Sequence, residues 1–390
     1  MKPPCGLAFG PLSLLLISLL LVSCGVSRTR LTPQPSSPGD WTTTRGALDN
    51  RGLASDPGTL RIDTLLWQCR TGGIASTEPI IQGGLLYFSG RDRRLEIIDA
   101  ETGKRLVRER FQGPVTGALP SDTMFAFATD QNERKVFIYS YSPVREIAKF
   151  DIPISSAPPR RLADGSILIA GIHGELVRFG SGGDVIWSVN AAAPISSSPA
   201  ITDSLILIAA GRTVSARRIA DGSVVWSHLA SGAVRAAPAV GDDIVYFGST
   251  DSLLYAVTLG AGSMQWFFAG SGQILTSPTV GDERVYLASN DQKVYALDRK
   301  TGRQVWSYDT GAPANTEPTL AGDLLYVSTQ LGKLLVLDAA TGALNREFDL
   351  SAPAATAPIV ANGRVYVADT RRQLYCFGPY DQPQALTETR

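Results

Sequence analysis

A proline recurs along the chain every 39 to 41 residues, and this period constrains the fold more than any other feature. The eight prolines are Pro79, Pro120, Pro159, Pro199, Pro238, Pro278, Pro318 and Pro358. A repeat of this length is one supersecondary unit that cannot bury its apolar faces alone, so consecutive units must stack. We therefore expect a repeat architecture rather than one irregular core.

The repeat that spans residues 277–311 shows what one unit contains. Pro278 opens a first strand, where its missing N–H does least harm. Alternating residues predict a second strand over 284–289 and a third over 293–298, and a fourth follows over 303–308. Four strands in 40 residues are typical of a propeller blade. The sequence thus predicts an all-β, eight-bladed β-propeller of four-stranded antiparallel blades over residues 61–378.

One position of the fourth strand is usually tryptophan, and it sets the phase of the repeats. Trp67, Trp187, Trp226, Trp266 and Trp306 occupy it, and the turns before it carry Asp99, Gly103, Asp298, Gly302, Asp338 and Gly342. Asp can accept local backbone N–H bonds and Gly tolerates a positive φ in such turns. We expect these tryptophans to pack between neighbouring blades. Because no third strand precedes Trp67, its strand is expected to complete the last blade and close the ring.

The N-terminus carries an export signal. Residues 12–22 form an apolar run that is too short to span a bilayer and suits a signal peptide. Residues 21–24 (LVSC) resemble a bacterial lipobox, which implies a signal peptide over 1–23 and acylation of Cys24. The alternative is an ordinary signal peptide with an incidental Cys24. Gly25 resembles the residue that follows the acylated cysteine in outer-membrane lipoproteins, so we expect an exported, lipid-anchored envelope protein that faces the periplasm.

Residues 24–60 are expected to be a lipidated cysteine followed by a tether. Pro33, Pro35 and Pro38 lie among serines and threonines, a composition that favours extended, semi-rigid chain. Trp41 is expected to pack on the outer surface of the propeller, with a partner site as the alternative. Residues 379–390 are expected to be a C-terminal tail.

Two cysteines remain in the mature propeller, because Cys5 lies in the signal peptide and Cys24 carries lipid. The repeat phase puts Cys376 in the third strand of the last blade and Cys69 in the strand that closes this blade. The two residues are then directly opposite or one diagonal apart. An exported chain permits a disulfide, but diagonal neighbours are too distant for good geometry. A bridge and two unpaired thiols both remain open.

Composition and motifs argue against catalysis and nucleic-acid binding. The formal net charge is zero, 18% of residues are charged, and no basic stripe is present. His173 and His228 are the two histidines, and neither has a partner at metal-ligand spacing. The sequence has no Walker loop, no Gly-x-Ser-x-Gly and no adjacent cysteine pair. We therefore predict no catalytic residue, no metal site and no cofactor.

Residues 295–306 (Tyr-Ala-Leu-Asp-x-x-Thr-Gly-x-x-x-Trp) resemble the pyrroloquinoline-quinone-type (PQQ-type) propeller repeat, and the resemblance extends over about residues 60–378. Residues 40–46, 51–52 and 66–67 resemble the lead-in of proteins with this repeat. The family includes quinoprotein dehydrogenases, which hold their quinone with a vicinal cysteine pair and calcium-ligating acids. It also includes a lipoprotein subunit of the machinery that folds β-barrels into the outer membrane. Lipid anchor, length and eight minimal blades resemble this second kind.

The resemblance implies a non-enzymatic, membrane-anchored, monomeric scaffold whose loops dock protein partners, with β-barrel assembly as its role. Exposed outer strands of such a ring can also accept an added strand. The candidate partner loops lie at 91–94, 130–135 and 371–373, and their arginines are Arg91, Arg93, Arg94, Arg371 and Arg372. The alternative is a propeller that binds a quinone or another small ligand in its central channel. First-strand residues Glu78, Ser198, Ser277 and Glu317 would line that channel.

Overall fold

The computed structural model describes residues 30–54, 62–130, 133–155, 157–314 and 316–379, and within them the chain forms 32 β-strands and no α-helix. The first sixteen strands are β1 Thr64–Arg70, β2 Ile80–Gln82, β3 Leu85–Gly90, β4 Arg94–Asp99, β5 Arg105–Arg110, β6 Val115–Pro120, β7 Met124–Thr129, β8 Lys135–Tyr141, β9 Val144–Asp151, β10 Arg160–Arg161, β11 Ile167–Ala170, β12 Glu175–Phe179, β13 Val185–Asn190, β14 Ala200–Ile201, β15 Leu205–Ala210 and β16 Thr213–Arg218. The other strands are β17 Val224–Leu229, β18 Ala239–Gly241, β19 Ile244–Gly248, β20 Leu253–Thr258, β21 Met264–Ala269, β22 Thr279–Val280, β23 Arg284–Ala288, β24 Lys293–Asp298, β25 Gln304–Asp309, β26 Thr319–Ala321, β27 Leu324–Ser328, β28 Lys333–Asp338, β29 Leu344–Asp349, β30 Ile359–Ala361, β31 Arg364–Ala368 and β32 Gln373–Gly378.

The strands form eight four-stranded antiparallel sheets, which are the blades of a propeller. Blades 1 to 7 are β2–β5, β6–β9, β10–β13, β14–β17, β18–β21, β22–β25 and β26–β29, in chain order. Blade 8 consists of β30, β31 and β32, with β1 as its outermost strand. β1 pairs with β32 from Thr64 opposite Gly378 to Arg70 opposite Gln373. The predicted fold class and the closure of the ring by the first strand are both confirmed.

The two middle strands of each blade are buried on both faces, because a neighbouring blade covers each face. In blade 6, for example, the apolar residues of β23 and β24 are buried, whereas residues along the outer strand β25 alternate between exposed and covered. One cluster joins Tyr286 and Ala288 of blade 6 to Leu325 and Leu335 of blade 7. The core is therefore shared between blades, as the repeat period requires.

The tryptophan of the outer strand packs against the next blade. Trp306 donates its Nε1–H to the carbonyl of Ala339, 3.1 Å away in the following blade. A Cβ on Gly342 would lie 2.7 Å from the indole, and Gly342 has a φ of +75°, so a side chain there meets both a clash and backbone strain. Indoles of the same position donate to the next blade in three further cases: Trp187 to Ile219, Trp226 to Leu259 and Trp266 to Arg299.

The two cysteines of the propeller lie on adjacent strands but on the diagonal. Cys376 is opposite Trp67, and Cys69 is opposite Leu374. Both residues are free thiols, so the structure contains no bridge between them. Desolvation by burial raises the pKa of the Cys69 thiol to about 11 and that of Cys376 to about 12. Of the two alternatives, the structure supports the unpaired thiols. In the register of β1 with β32, Cys69 lies two residues away from the position directly opposite Cys376.

The expected tether is wrong for residues 30–54, which pack on the ring. Trp41 is 1% exposed, and it contacts the inner strands of blades 1 and 8 instead of the outer surface of the propeller. Its carbonyl accepts the backbone N–H of Ile81 at 2.8 Å. This segment is held on the ring by backbone hydrogen bonds, and it turns at residues 38–39 and 43–49 instead of running as an extended tether.

Several sequence-based expectations fall outside the described residues. These are the signal peptide, the lipidation of Cys24, the remainder of the tether at residues 55–60, and residues 380–390 of the C-terminal tail. In the part of the chain that the structure describes, no helix has the length and apolar character needed to cross a membrane.

Removing the indole of Trp306 tests how much the contact between neighbouring blades contributes. We expect Trp306→Ala to lower the free energy of unfolding by about 3–5 kcal/mol, because a large buried ring is lost. Arg346 occupies the same position in blade 7 and pairs at the surface with Asp63, so Arg346→Ala should cost about 1 kcal/mol or less. Equilibrium denaturant unfolding measures both, and equal losses would contradict the assigned role of the indole.

Candidate functional site

The innermost strands surround a central channel, which is the candidate site. Glu78, Ser198, Ser277 and Glu317 all line one cavity of about 270 Å³ in this channel. The predicted placement of these four residues in the channel is confirmed. They lie together because each occupies the same position of its repeat, directly before the repeated proline. Further hydroxyl groups complete the wall, from Ser76, Thr77, Ser196, Ser197, Thr316 and Thr356.

Residues 39–54, which we call the N-terminal plug, close one end of the channel. Plug carbonyls accept the backbone N–H groups of five blades at the residue two positions after the repeated proline. The pairs are Trp41 with Ile81, Leu48 with Ile201, Asp49 with Val240, Arg51 with Val280 and Gly52 with Leu320, at 2.7–3.0 Å. These inner strands are edges of their sheets, so their channel-side N–H groups have no strand partner. The plug supplies the missing acceptors.

Two plug side chains bind carbonyls that converge on the channel axis. Arg45 donates to the carbonyls of Pro278 and Pro318, at 2.9 and 3.2 Å. Asn50 donates to the carbonyls of Ser198 and Pro238, at 3.2 and 3.1 Å. Both plug residues are almost completely buried, at 3% and 0% exposure. A buried carbonyl without a donor is costly, so these two side chains join four blades at one point.

Arg160 reaches into the plug from the inner strand of blade 3. Its guanidinium donates to the carbonyl of Thr44 at 3.0 Å and also to the side-chain oxygens of Thr43 and Asn50. Arg160 is fully buried, and desolvation lowers its pKa to about 10. Asp49 and Glu78 lie near enough to oppose this shift. The plug is therefore held by side chains from the ring as well as by its own.

Gly52 stands where the plug backbone passes close to the Arg45 side chain. Gly52 has a φ of +69°, and a Cβ there would lie 2.4 Å from the Arg45 guanidinium and 2.9 Å from Thr279 Oγ1. A side chain at this residue would displace Arg45 from its carbonyl partners and strain the backbone. Gly52 therefore allows the plug to turn tightly beneath Arg45.

Two carboxylates face the cavity above the plug. Glu78 accepts the backbone N–H of Arg45 at 2.8 Å, and Glu317 accepts the Ser277 hydroxyl at 3.4 Å. Burial raises the pKa of Glu78 above its ordinary value, and the neighbouring Glu317 carboxylate raises it further, whereas Arg45 opposes the shift. Burial in turn lowers the pKa of Arg45. The site is thus a small, hydroxyl-lined cavity with acidic walls and a cationic floor.

The residues present do not fit the quinone that the repeat name suggests. Pyrroloquinoline quinone is itself a carboxylate-bearing anion, and the cavity presents the carboxylates of Glu78 and Glu317. Two guanidiniums line the same cavity. Arg45 is already bound to three protein oxygens, so the exposed Arg235 alone would have to balance the added charge beside the two carboxylates. Among the described residues, no group of three or more His, Cys, Asp and Glu side chains is placed to hold a metal ion.

The candidate partner loops lie at the opposite end of the ring. We call the end with the plug the plug face, and the end with the turns between second and third strands the loop face. Arg91, Arg93 and Arg94 occupy such a turn in blade 1, and Arg371 and Arg372 occupy one in blade 8.

The closed ring brings these two arginine turns together. The linker that follows β1 contacts both, because Thr71 donates its N–H to the Arg372 carbonyl while the Ile74 carbonyl accepts from Arg91. Arg94 pairs with Asp92 at 2.5 Å, and the other four arginines are exposed. The third candidate loop, at residues 130–135, lies in blade 2, and its residues 131–132 fall outside the described chain.

The histidines and turn residues have local roles. His173 lies in an exposed turn between β11 and β12, and His228 packs edge-on against Phe247 and Tyr255. In the turns before the tryptophan position, Asp298 and Asp338 each accept the backbone N–H and hydroxyl of a threonine three residues later. Asp99 makes the same pair of bonds to Thr102. None of these residues lines the central cavity.

Comparison with known proteins identifies the family of the repeats. Residues 139–267 and 230–379, which together cover more than half of the chain, match the PQQ-type repeat family described as outer membrane protein assembly factor BamB. The chain belongs to this family. Among curated proteins, no relative matches the sequence.

Solved structures of several members and neighbours share the fold. BamB from Moraxella catarrhalis is 16% identical and superposes with a TM-score of 0.70, over 81% of this chain and 99% of that one. A quinohemoprotein alcohol dehydrogenase from Comamonas testosteroni is 12% identical with a TM-score of 0.73, over 90% and 82% of the two chains. A europium-containing methanol dehydrogenase is 11% identical with a TM-score of 0.74, over 88% and 98%. At these identities the likeness shows the fold alone.

Sequence reasoning missed the residues that close the channel. Asn50 and Arg160 carry no motif, and Arg45 lies in the family-like lead-in at residues 40–46, to which no role was assigned. Arg45 and Asn50 both lie in a segment whose composition suggested a tether. The usable signal was the mixture of Trp41 and Gly52 with the prolines and serines, because a solvated linker needs no buried indole. Their partners are backbone carbonyls of distant blades, and side-chain patterns do not reveal those.

Removing the Arg45 guanidinium tests the plug. We expect Arg45→Met to destabilise the docked plug by about 3–5 kcal/mol, because the Pro278 and Pro318 carbonyls lose their buried donor. Arg303→Met is the control, since Arg303 is an exposed arginine of blade 6 outside the plug, and it should cost about 1 kcal/mol or less. Hydrogen exchange of the Val280 and Leu320 amides reports plug docking. Unchanged protection in Arg45→Met would contradict the assignment.

The raised pKa of Glu78 predicts a dependence of stability on pH. Because the folded state holds this proton more tightly than the unfolded state, the stabilisation is complete below the ordinary carboxyl pKa and is lost as pH rises through the raised value. As the pH is raised from about 4 to about 8, the thermal unfolding midpoint of Glu78→Gln should therefore decrease less than that of wild type. Glu283→Gln controls for loss of an exposed carboxylate. Parallel profiles for wild type and Glu78→Gln would refute the shift.

Proposed function

We propose that this chain is a non-enzymatic, lipid-anchored scaffold of the cell envelope whose propeller docks protein partners during assembly of outer-membrane β-barrel proteins. The match of residues 139–379 to the BamB family is the observation that carries this proposal. The channel supports it as well, because the plug closes one end and an acidic, hydroxyl-lined cavity of about 270 Å³ remains. The protein then acts through its surfaces.

The anchor and the plug together orient the ring. The Leu31 N–H donates to the Tyr141 carbonyl, and the Gln34 N–H donates to the Gly83 carbonyl, so the described chain begins on the plug face. Acylated Cys24 lies six residues before Arg30 in the sequence, which corresponds to at most about 20 Å of extended chain. We therefore infer that the plug face is directed toward the membrane and the loop face toward the periplasm.

The arginines of the loop face are the proposed docking surface. Arg91, Arg93, Arg371 and Arg372 are exposed and come from two blades that only ring closure brings together. Arginine side chains bind carboxylates in a bidentate manner, and they are enriched at protein interfaces. An acidic surface of a partner subunit fits this site best.

Crosslinking and purification of the native lipoprotein from outer membranes test the proposal. We expect subunits of the barrel-assembly machinery to be recovered with the wild-type chain. Arg91→Glu with Arg371→Glu should lower this recovery by about tenfold or more, since both charges reverse at the interface. Arg303→Glu, an exposed arginine of blade 6, is the matched control and should leave recovery unchanged. Clean absence of assembly subunits from the wild-type sample would overturn the proposed role.

The quinone-binding alternative has a direct assay of its own. Its support is the fold shared with quinoprotein dehydrogenases. Addition of pyrroloquinoline quinone and calcium to the purified chain, followed by a dye-linked alcohol oxidation assay, separates the two functions. We expect no turnover, because Arg45 is already bound to protein oxygens and no His, Cys, Asp or Glu cluster among the described residues is placed to hold the calcium. Turnover that disappears when the quinone is omitted would replace the scaffold with an enzyme.

A further inference from the structure

The outermost strand of every blade is a sheet edge. In the described chain, each of these eight strands pairs with one neighbour, so one row of its backbone N–H and C=O groups has no strand partner. Such edges invite pairing with other chains, and proteins usually protect them with charged side chains. The distribution of charged side chains over the eight outer edges therefore indicates which edges are protected from pairing and which can accept another strand.

Two outward positions on each outer strand, the first and third residues after the tryptophan position, show a clear division. Blades 1, 2 and 7 have charges at both: Arg108 and Arg110, Lys149 and Asp151, and Glu347 and Asp349. Blades 6 and 8 have one charge each: Ser307 with Asp309, and Gln68 with Arg70. Blades 3, 4 and 5 have none: Ser188 with Asn190, Ser227 with Leu229, and Phe267 with Ala269. All sixteen residues are exposed.

The three unprotected edges are consecutive and apolar. We call β13, β17 and β21 the uncharged sector, because none of the three strands contains an Asp, Glu, Lys or Arg residue. Large apolar side chains stand free there, with Leu229 at 68%, Phe267 at 60% and Val185 at 58% exposure. On protected edges, by contrast, the outward residues make ion pairs such as Lys135 with Asp151 at 2.6 Å. The sector thus lacks the protection that the same protein uses elsewhere.

A groove of about 730 Å³ lies beside the same three blades on the plug face. Ile219 and Leu259 line it, and their carbonyls accept the indole N–H groups of Trp187 and Trp226 in β13 and β17. Unlike the outer edges, the groove carries charge, from Asp49, Asp164, Arg178, Asp203 and Asp242. The uncharged sector is therefore confined to the outer strands.

We propose that the uncharged sector binds an extended, uncharged segment of a partner protein by strand addition to the outer edge of blade 3, 4 or 5. Backbone groups of an incoming strand satisfy the free N–H and C=O groups of the edge, which neither a lipid surface nor a helix can do. The outward positions carry uncharged side chains, polar in blade 3 and apolar in blade 5, which suit an incoming strand without charges. The inference rests on the proposed function only in taking a protein as the occupant.

A labelled model strand tests the proposal on the full acylated chain in detergent. The probe is a fluorescein-labelled peptide of about ten alternating valine and threonine residues, long enough to pair along a whole edge. We expect binding to wild type, and binding weaker by about tenfold or more after Ser188→Lys, Ser227→Lys and Phe267→Lys combined. Gln68→Lys, at the same position of blade 8, is the matched control and should bind as wild type does. The thermal unfolding midpoint of each variant is measured first. It should equal that of wild type, because the substituted residues are exposed.

Backbone methylation separates strand addition from simple apolar contact. The same peptide with alternate amide nitrogens methylated keeps its side chains but cannot donate along one edge, so we expect its binding to be lost. Equal binding of the methylated peptide, or undiminished binding to the triple lysine variant, would overturn the proposal. Concentration-dependent dimers of wild type that disappear in the triple variant, without peptide binding, would assign the sector to a second copy and likewise overturn it.

Membrane crosslinking distinguishes this inference from the proposed function. If the triple lysine variant still recovers barrel-assembly subunits while peptide binding is lost, strand addition and the arginine surface serve different partners, and both proposals stand. If wild type binds the peptide but recovers no assembly subunit, the assembly role fails and strand addition remains.

Discussion

The inability of a single blade to bury both faces of its sheet is the constraint on which this structure depends. The middle strands are buried on both sides, and four of the five outer tryptophans donate their indole N–H to a carbonyl of the next blade. A row of such blades would leave one apolar face exposed at each end. Pairing of β1 with β32 avoids this by completing blade 8 and seating it beside blade 1. Ring closure therefore stabilises every blade, and it also creates the surface where the arginine turns of blades 1 and 8 meet.

A closed ring of short sheets still has two sets of edges, and the protein treats them differently. The inner edges converge on the channel, where the N-terminal plug accepts N–H groups from five of the eight blades and donates to carbonyls near the repeated proline in four. The outer edges face solvent, and charges protect most of them. Blades 3, 4 and 5 depart from that pattern, as Leu229 and Phe267 show. The inner edges are thus closed by the chain itself, whereas three outer edges are left suited to another chain.

The repeat period predicted the features that every unit shares. It predicted the positions of the tryptophans and of the Asp and Gly turns, and it predicted that the first strand closes the ring. It also placed Glu78 and Glu317 on the channel wall, because residues at the same position of each repeat lie at the same distance from the ring axis. It failed for Trp41, Arg45 and Asn50, which belong to no repeat. Composition and the family-like lead-in at residues 40–46 and 51–52 described that segment, and neither says whether a polar, proline-rich stretch is a solvated tether or a strap held by backbone hydrogen bonds.

By itself, then, the sequence determined the number of blades, their strands and the direction of closure, because local patterns repeated eight times carry that information. Only the tertiary structure decided the diagonal placement of Cys69 and Cys376 and the burial of the plug. Each of these depends on a register or a contact between residues that are far apart in the chain. Such contacts arise from the geometry of the closed ring, which no single repeat encodes.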